Sequence, residues 1–294
     1  MSILLPRGSL PYGVALTPDG AVWYTGQRAG ELGRLDPATG AIKTIPLGQG
    51  AAPRGIIGGP DGALWLVDSG LNTIVRVDTA TEAIRSFGLP AGGASANLQA
   101  LVFDPAGRLW FTGESGFYGR LDQSLGILQI FKAPRGAGPA GIAAAPDGTV
   151  YFASFDGDYV ERIVSGTGLA TTLGLPLAPA GPRGIAADSR GRLWVGAWRA
   201  GHLATYEPVT TRWRTWALPG RTPQPRAVYV DARDQIWLTD DSTNAILRFD
   251  PATEQFQTLT LPTAAGPIAQ LAGRPGEIWG AEASGERLVV LRAG

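Results

Sequence analysis

The chain of 294 residues contains no cysteine, which excludes disulfides, thiolate metal sites and thiol catalysis together. It has one histidine, His202, and one imidazole cannot supply both a catalytic triad and a metal site. No Gly-x-Ser-x-Gly elbow and no Gly-x4-Gly-Lys-Ser/Thr phosphate loop occurs. There is no excess of either charge: 25 basic residues meet 25 acidic ones, leaving no basic field to attract nucleic acid or an anionic membrane. No apolar run approaches the roughly 18 residues that a membrane span needs. The segment Met1 to Leu10 lacks a charged start and a long apolar stretch, so a secretory signal is not expected and the expected location is the cytoplasm.

What the chain does have is glycine (42), proline (23) and tryptophan (9). Glycine and proline at this density break helices and serve turns. The tryptophans and regular apolar runs argue against disorder, so the expected class is all-β. One aromatic recurs as Trp23, Trp65, Trp110, Tyr151, Trp194, Trp237 and Trp279, at intervals of 42, 45, 41, 43, 43 and 42 residues. Each unit carries the same punctuation. Pro11-Tyr12-Gly13 precedes Val14-Ala15-Leu16, then Pro18-Asp19-Gly20 leads into Ala21-Val22-Trp23-Tyr24. Pro53-Arg54-Gly55 with Pro60-Asp61-Gly62, and Pro139-Ala140-Gly141 with Pro146-Asp147-Gly148, repeat it. Pro-Asp-Gly suits a tight hairpin, because Pro presets φ, Asp bonds its own backbone and Gly takes the left-handed position. A third strand follows (Gly33-Arg34-Leu35, Leu247-Arg248-Phe249), then turns such as that starting at Asp36, then a fourth strand such as Ile42-Lys43-Thr44-Ile45. Four short strands per unit of about 43 residues is the pattern of a propeller blade.

The expected architecture is therefore one domain, residues 1–294, folded as a seven-bladed β-propeller with four-stranded blades. The last unit stops at Leu291-Arg292-Ala293-Gly294 without a fourth strand, while Ile3-Leu4-Leu5-Pro6 matches the fourth-strand pattern. The N-terminal strand is expected to complete the last blade and remove an open edge.

Pro-x-Gly-Ile, Pro-Asp-Gly, Leu-Trp-Phe/Leu-Thr and Ile-x-Arg-Leu/Phe together resemble the streptogramin lyase (virginiamycin B lyase) family, over essentially the whole chain. The resemblance implies Mg2+ held by histidines and glutamates of the last two blades, and opening of a macrolactone by elimination. The substrate-contacting histidine of blade six corresponds here to Arg226, and the Glu-Pro-His of blade seven reads Gly266-Pro267-Ile268. Glu282 remains as an acid nearby, and Tyr12 stands where the family has its tyrosine. With the catalytic histidine missing, streptogramin lysis by that mechanism is not expected. Calcium-dependent lactonase propellers of the gluconolactonase type are a second analogy, but the mouth positions carry Arg and Gln rather than their Asn and Asp.

The blades serve as their own comparison. Residues that recur, such as Arg34, Arg76, Arg120, Arg162 and Arg248 in the third strand, are expected to be structural, as are the repeated aromatics between blades. The residue eleven before each aromatic varies: Tyr12, Arg54, Gln99, Ala140, Arg183, Arg226 and Ile268. It should ring one mouth of the central channel, beside Asp68, Glu114, Trp198, Asp240, Asp241 and Glu282 at the ends of second strands. Arg54 with Asp68, and Arg226 with Asp240, lie at matching positions of their hairpins and read as salt bridges. Arg183 opposite Ala197 and Glu282 opposite Ile268 then remain unpaired. Arg183 suits a carboxylate or phosphate, with Arg54, Arg226 and Gln99 as further substrate contacts and Trp198 as a stacking surface. Glu282, Asp240 and Tyr12 are the candidate base and proton donor. Glu282 with Asp241 is the candidate seat of Mg2+ or Ca2+. Arg183 pairing with Asp240 or Glu282 across blades is the competing reading. His202 reads as a solvated or packing residue. Two functions are left open: a lyase or hydrolase acting on an anionic or lactone-containing small molecule at the mouth, or a non-catalytic propeller binding a ligand or a protein.

Overall fold

The computed structural model describes residues 1–91, 95–164, 166–261 and 266–292. These form strands β1–β28 in chain order, arranged as seven four-stranded antiparallel sheets. Blade one is β2 (Pro11–Leu16), β3 (Val22–Gly26), β4 (Glu31–Leu35) and β5 (Ile42–Pro46), and the following blades repeat that order. The first strands of the blades are β2, β6 (Pro53–Gly58), β10 (Leu98–Phe103), β14 (Pro139–Ala144), β18 (Pro182–Ala187), β22 (Pro225–Val230) and β26 (Ile268–Arg274). Each touches the next, and β26 returns to β2, so they enclose a central channel. β1 (Ser2–Leu4) pairs antiparallel with β28 (Arg287–Arg292), Ile3 against Leu288, which closes the last blade as expected.

The core lies between the blades. Trp23 packs with Ile56, Leu64 and Leu66 of blade two, Trp110 with Val150 and Phe152 of blade four, and Trp279 with Val14 and Val22 of blade one. Such rings pack one sheet against the next and dominate core energetics. Their indole N–H groups are met at the turn face: Trp65 donates to Asp61 at 3.1 Å, Trp110 to Asp104 at 3.1 Å and Trp194 to Asp188 at 2.9 Å. The same carboxylates take an arginine, as in Arg76–Asp61 (2.7 Å) and Arg192–Asp188 (2.7 Å), while in blade one Arg34 pairs with Asp19 (3.0 Å) and Trp23 donates to Thr17. Arg120 bonds Gln129 at 2.6 Å and covers Trp110, its guanidinium 5.6 Å from the ring centroid. These recurrent arginines are thus blade architecture.

A second repeat was not read from the sequence. Gly30, Asn72, Gly116, Asp158, Gly201, Asn244 and Glu286 each precede a third strand and each has positive φ, from 48° to 94°. Several also tie neighbouring blades. Asp158 Oδ1 accepts the N–H groups of Ala180 (2.7 Å) and Gly181 (2.6 Å), and Glu286 Oε1 accepts that of Gly8 (2.6 Å).

Candidate functional site

At the mouth, the first residue of each inner strand pairs with the last residue of the second strand: Pro53 with Asp68, Pro182 with Ala197, Pro225 with Asp240, Ile268 with Glu282. The register then slips through a β-bulge, as at Pro53/Ile56 and Pro225/Val228. A bulge re-aims the side chain it carries. Arg54 therefore leaves the hairpin in which it was expected to pair, while Arg226 stays in its own hairpin and takes the next acid, Asp241. Blade seven has a hairpin one residue shorter, so Ala269, not Ile268, stands in the channel lining there.

The carboxylates behind the mouth are turn acceptors. Asp68 is fully buried and its Oδ1 accepts the N–H groups of Ala52, Gly70 and Leu71, each at 2.9 Å. Asp240 is also buried and accepts from Gln224 N–H (2.8 Å), Ser242 N–H (3.0 Å) and the Thr243 hydroxyl (2.8 Å). Glu282 accepts Gly285 N–H at 2.8 Å and lies 3.3 Å from Arg287 Nε. Neither Asp240 nor Glu282 lines the channel. Glu282 is paired, where the sequence reading left it free, because β28 brings Arg287 directly opposite it.

Arg54 pairs with the next blade, Arg226 with the acid one residue further along its own. Arg54 donates to Gln99 Oε1 at 2.7 Å and lies 3.3 Å from Glu114 Oε2, which also accepts from Asn97 at 2.8 Å. Since a guanidinium only donates, Gln99 turns its oxygen to Arg54 and its Nε2 to the Tyr12 hydroxyl oxygen. The Tyr12 O–H is left free to donate into the channel. Burial raises the Tyr12 pKa above its ordinary value of 10.0, against the opposing pull of Arg54 and Arg183, so the phenol keeps its proton. Arg226 pairs at 2.7 Å with Asp241 rather than Asp240, and Trp198 Nε1 donates to the same Asp241 oxygen at 3.3 Å.

Arg183 forms no ion pair among the described residues; its guanidinium rests 5.0 Å from the centroid of Phe155, which meets Trp198 edge-on at 5.7 Å. Desolvation, then repulsion from Arg226, lowers the Arg183 pKa from 12.5. Phe155 was not singled out from the sequence, although it stands directly after its second strand as Glu114, Trp198 and Asp241 do after theirs, because a lone phenylalanine carries no charge to mark it.

Tyr12, Gln99, Arg183 and Arg226 thus converge on a cavity of about 240 Å³ at the head of the channel, whose far side is crossed by Gln270. The Gln270 amide bonds the backbones of β2 and β6, donating to Val14 O (3.2 Å) and Ile56 O (2.6 Å) and accepting from Ile56 N–H (3.2 Å). It fits because Gly13 lacks a side chain; a Cβ there would lie 2.7 Å from the Gln270 oxygen.

The donor set does not fit a divalent cation. Asp241 is held by Arg226 and Trp198, Glu282 by its own turn, and among the described residues no three His, Asp or Glu side chains converge. His202 Nδ1 sits 2.6 Å from the Ala200 carbonyl, and His202 does not line the cavity.

Fold and mouth together define a closed seven-bladed β-propeller with a cationic polar pocket at one end of its channel. The model of the virginiamycin B lyase family matches residues 3–290, and the chain belongs to that family. Among solved structures it resembles virginiamycin B lyase from Staphylococcus aureus (20% identity, TM-score 0.91, covering 100% of this chain and 99% of that one). It is also similar to a streptogramin B lyase (23% identity, TM-score 0.88, covering 99% and 97%). A catalytically inactive histidine-to-alanine variant of the Staphylococcus aureus enzyme with quinupristin matches at 21% identity and TM-score 0.91, covering 100% and 99%. The extracellular domain of a putative hybrid two-component system from B. thetaiotaomicron shares the fold at 18% identity and TM-score 0.79, covering 100% of this chain and 41% of that one. Comparison with curated protein sequences yields no match. No helix among the described residues is long and apolar enough to cross a membrane.

Proposed function

We propose that the channel mouth binds a small anionic molecule, with Arg183 as its counter-charge. The observation that carries this is one half-buried guanidinium left without a carboxylate while its neighbours Arg54 and Arg226 are paired. A desolvated cation is costly until an anion meets it, and a planar guanidinium meets a carboxylate or phosphate in two parallel bonds. Tyr12, held by Gln99, adds a neutral donor from the facing side. The test is titration calorimetry of small carboxylates and phosphates against the wild type and Arg183→Ala. Saturable binding to the wild type that disappears in the variant is expected; binding that survives the substitution refutes the assignment.

Family membership and the protonated Tyr12 favour a second reading, that the bound molecule carries a lactone opened there by lyase or hydrolase chemistry. Tyr12 would protonate the ring oxygen of the lactone as its C–O bond breaks, and regain a proton from the attacking water in hydrolysis or from the adjacent carbon in elimination, while Arg183 holds an anionic group of the same molecule. Mass spectrometry of products separates the outcomes, since hydrolysis adds the mass of water and elimination adds none. A Tyr12→Phe variant with undiminished turnover would refute the role of the hydroxyl.

A further inference from the structure

The anion site has a shape and a charge balance that select among anions. Around the mouth, Arg54, Arg183 and Arg226 face Glu114 and Asp241, with two of the three guanidiniums paired, so one positive charge is left over. A second negative charge on the ligand would have no partner of its own and would lie against Glu114 or Asp241. Beneath the mouth the lining changes character. Ile57, Ala100, Val102, Ile142, Val228 and Leu271 line the cavity there. The one polar side chain at that depth, Gln270, has its amide oxygen and nitrogen already bonded to the backbones of β2 and β6. The cavity of about 240 Å³ is smaller than the roughly 300–1,000 Å³ of sites for drug-sized ligands.

We infer that the ligand is a compact amphipathic monocarboxylate, its carboxylate on Arg183 and the Tyr12 hydroxyl and its short apolar tail directed down the channel toward Gln270. This rests on the reading of the mouth as an anion site and adds to it the charge and the tail. Dicarboxylates and phosphate dianions lack a second counter-charge, and acetate leaves the apolar lining unfilled.

The experiment is calorimetric titration of the protein with straight-chain monocarboxylates from acetate to decanoate, with glutarate and inorganic phosphate alongside, repeated on Arg183→Ala and on Ala100→Leu. Ala100 is half-buried and lines the cavity beneath the mouth, so a leucine there narrows the space for the tail while leaving the arginines in place. In the wild type, affinity should rise about fourfold per added methylene, as burial of that group predicts, and level off once the tail fills the cavity. Glutarate and phosphate should bind at least about tenfold more weakly than the monocarboxylate of similar size. Ala100→Leu, with an unchanged melting temperature, should weaken the longer acids and spare acetate. Tighter binding of glutarate or phosphate, or an affinity independent of tail length, overturns this inference but leaves the anion site standing. No binding of any anion, or binding that Arg183→Ala leaves intact, overturns the anion site as well.

Discussion

On the turn face of the propeller, one set of charged residues recurs and closes within its own blade, alongside cross-blade pairs such as Lys43 with Glu82. Arg34 meets Asp19, Arg76 meets Asp61, Arg192 meets Asp188 and Arg274 meets Glu277, each beneath the aromatic of its own blade. On the mouth face they differ from blade to blade and reach across the ring: Arg54 of blade two bonds Gln99 and Glu114 of blade three, and Gln99 bonds Tyr12 of blade one. The first face repeats one arrangement with small changes, Gln129 taking Arg120 in blade three and Glu277 standing in for the aspartate in blade seven. The second carries Arg183, the one of the three mouth arginines that forms no ion pair among the described residues. In a molecule built by repetition, a ligand site is a local departure from the repeat, and it is legible because the other copies show what the position does when it has no such task.

Substitutions on the two faces should separate accordingly. Trp110→Ala removes a fully buried ring and the donor to Asp104, and should cost about 3–5 kcal/mol, read as a drop in the urea midpoint, with ligand affinity of the folded protein unchanged. Arg183→Ala should do the reverse. Loss of a charged hydrogen bond is worth about 1.5–3 kcal/mol of binding, seen by calorimetry, while the melting temperature holds because no internal ion pair is broken. A melting temperature that falls as steeply as the affinity would erase the distinction between the faces.

Glu161 sharpens the comparison from a third direction. It is fully buried in the third strand of blade four, at a position that other blades fill with Gly33, Val75, Gly119 and Leu247. Its Oε1 takes the Thr172 hydroxyl and its Oε2 has no hydrogen-bond partner. Burial raises its pKa above 4.5, against the opposing effects of Thr172 and Arg135. The folded state thus holds this proton more tightly than the unfolded chain, and stability present below pH 4.5 is lost as pH rises through the raised value. Glu161→Gln should therefore melt higher than the wild type at neutral pH, with the difference shrinking toward pH 4.5. An equal difference at both ends would show that the carboxylate does not titrate in that window. The smallest effect belongs to the exposed repeat: Arg34→Ala removes a pair with half of its acid in water, and should change stability by no more than about 1 kcal/mol in the same denaturation assay.

Blade number, strand number and the packing role of the aromatics were legible because each rests on a pattern carried by seven units, and the closing strand because the last unit lacks a fourth strand that Ile3-Leu4-Leu5-Pro6 matches. The membership of the mouth was legible for Tyr12, Arg54, Gln99, Arg183 and Arg226 for the first of these reasons. Their pairings were not, since the bulge after each inner-strand proline turns the next side chain away from the acid that sequence spacing sets opposite it. Asp240 and Glu282 looked available because a carboxylate accepting backbone N–H groups in a turn cannot be distinguished in sequence from one facing a cavity. Glu161 was passed over because its neighbour Arg162 belongs to the repeated arginines and drew the reading of that strand.

The strand that closes the ring has a consequence in time. Met1 bonds Val290 across a separation of 289 residues. During synthesis at about 5–20 residues per second, β1 leaves the ribosome before β28 and waits many seconds for it. Blades one to six can pair strand by strand as they emerge, whereas the last blade is sealed only when its final strand meets β1. Until then β1 has no strand beside it, and closure of the ring is the last pairing the chain can make.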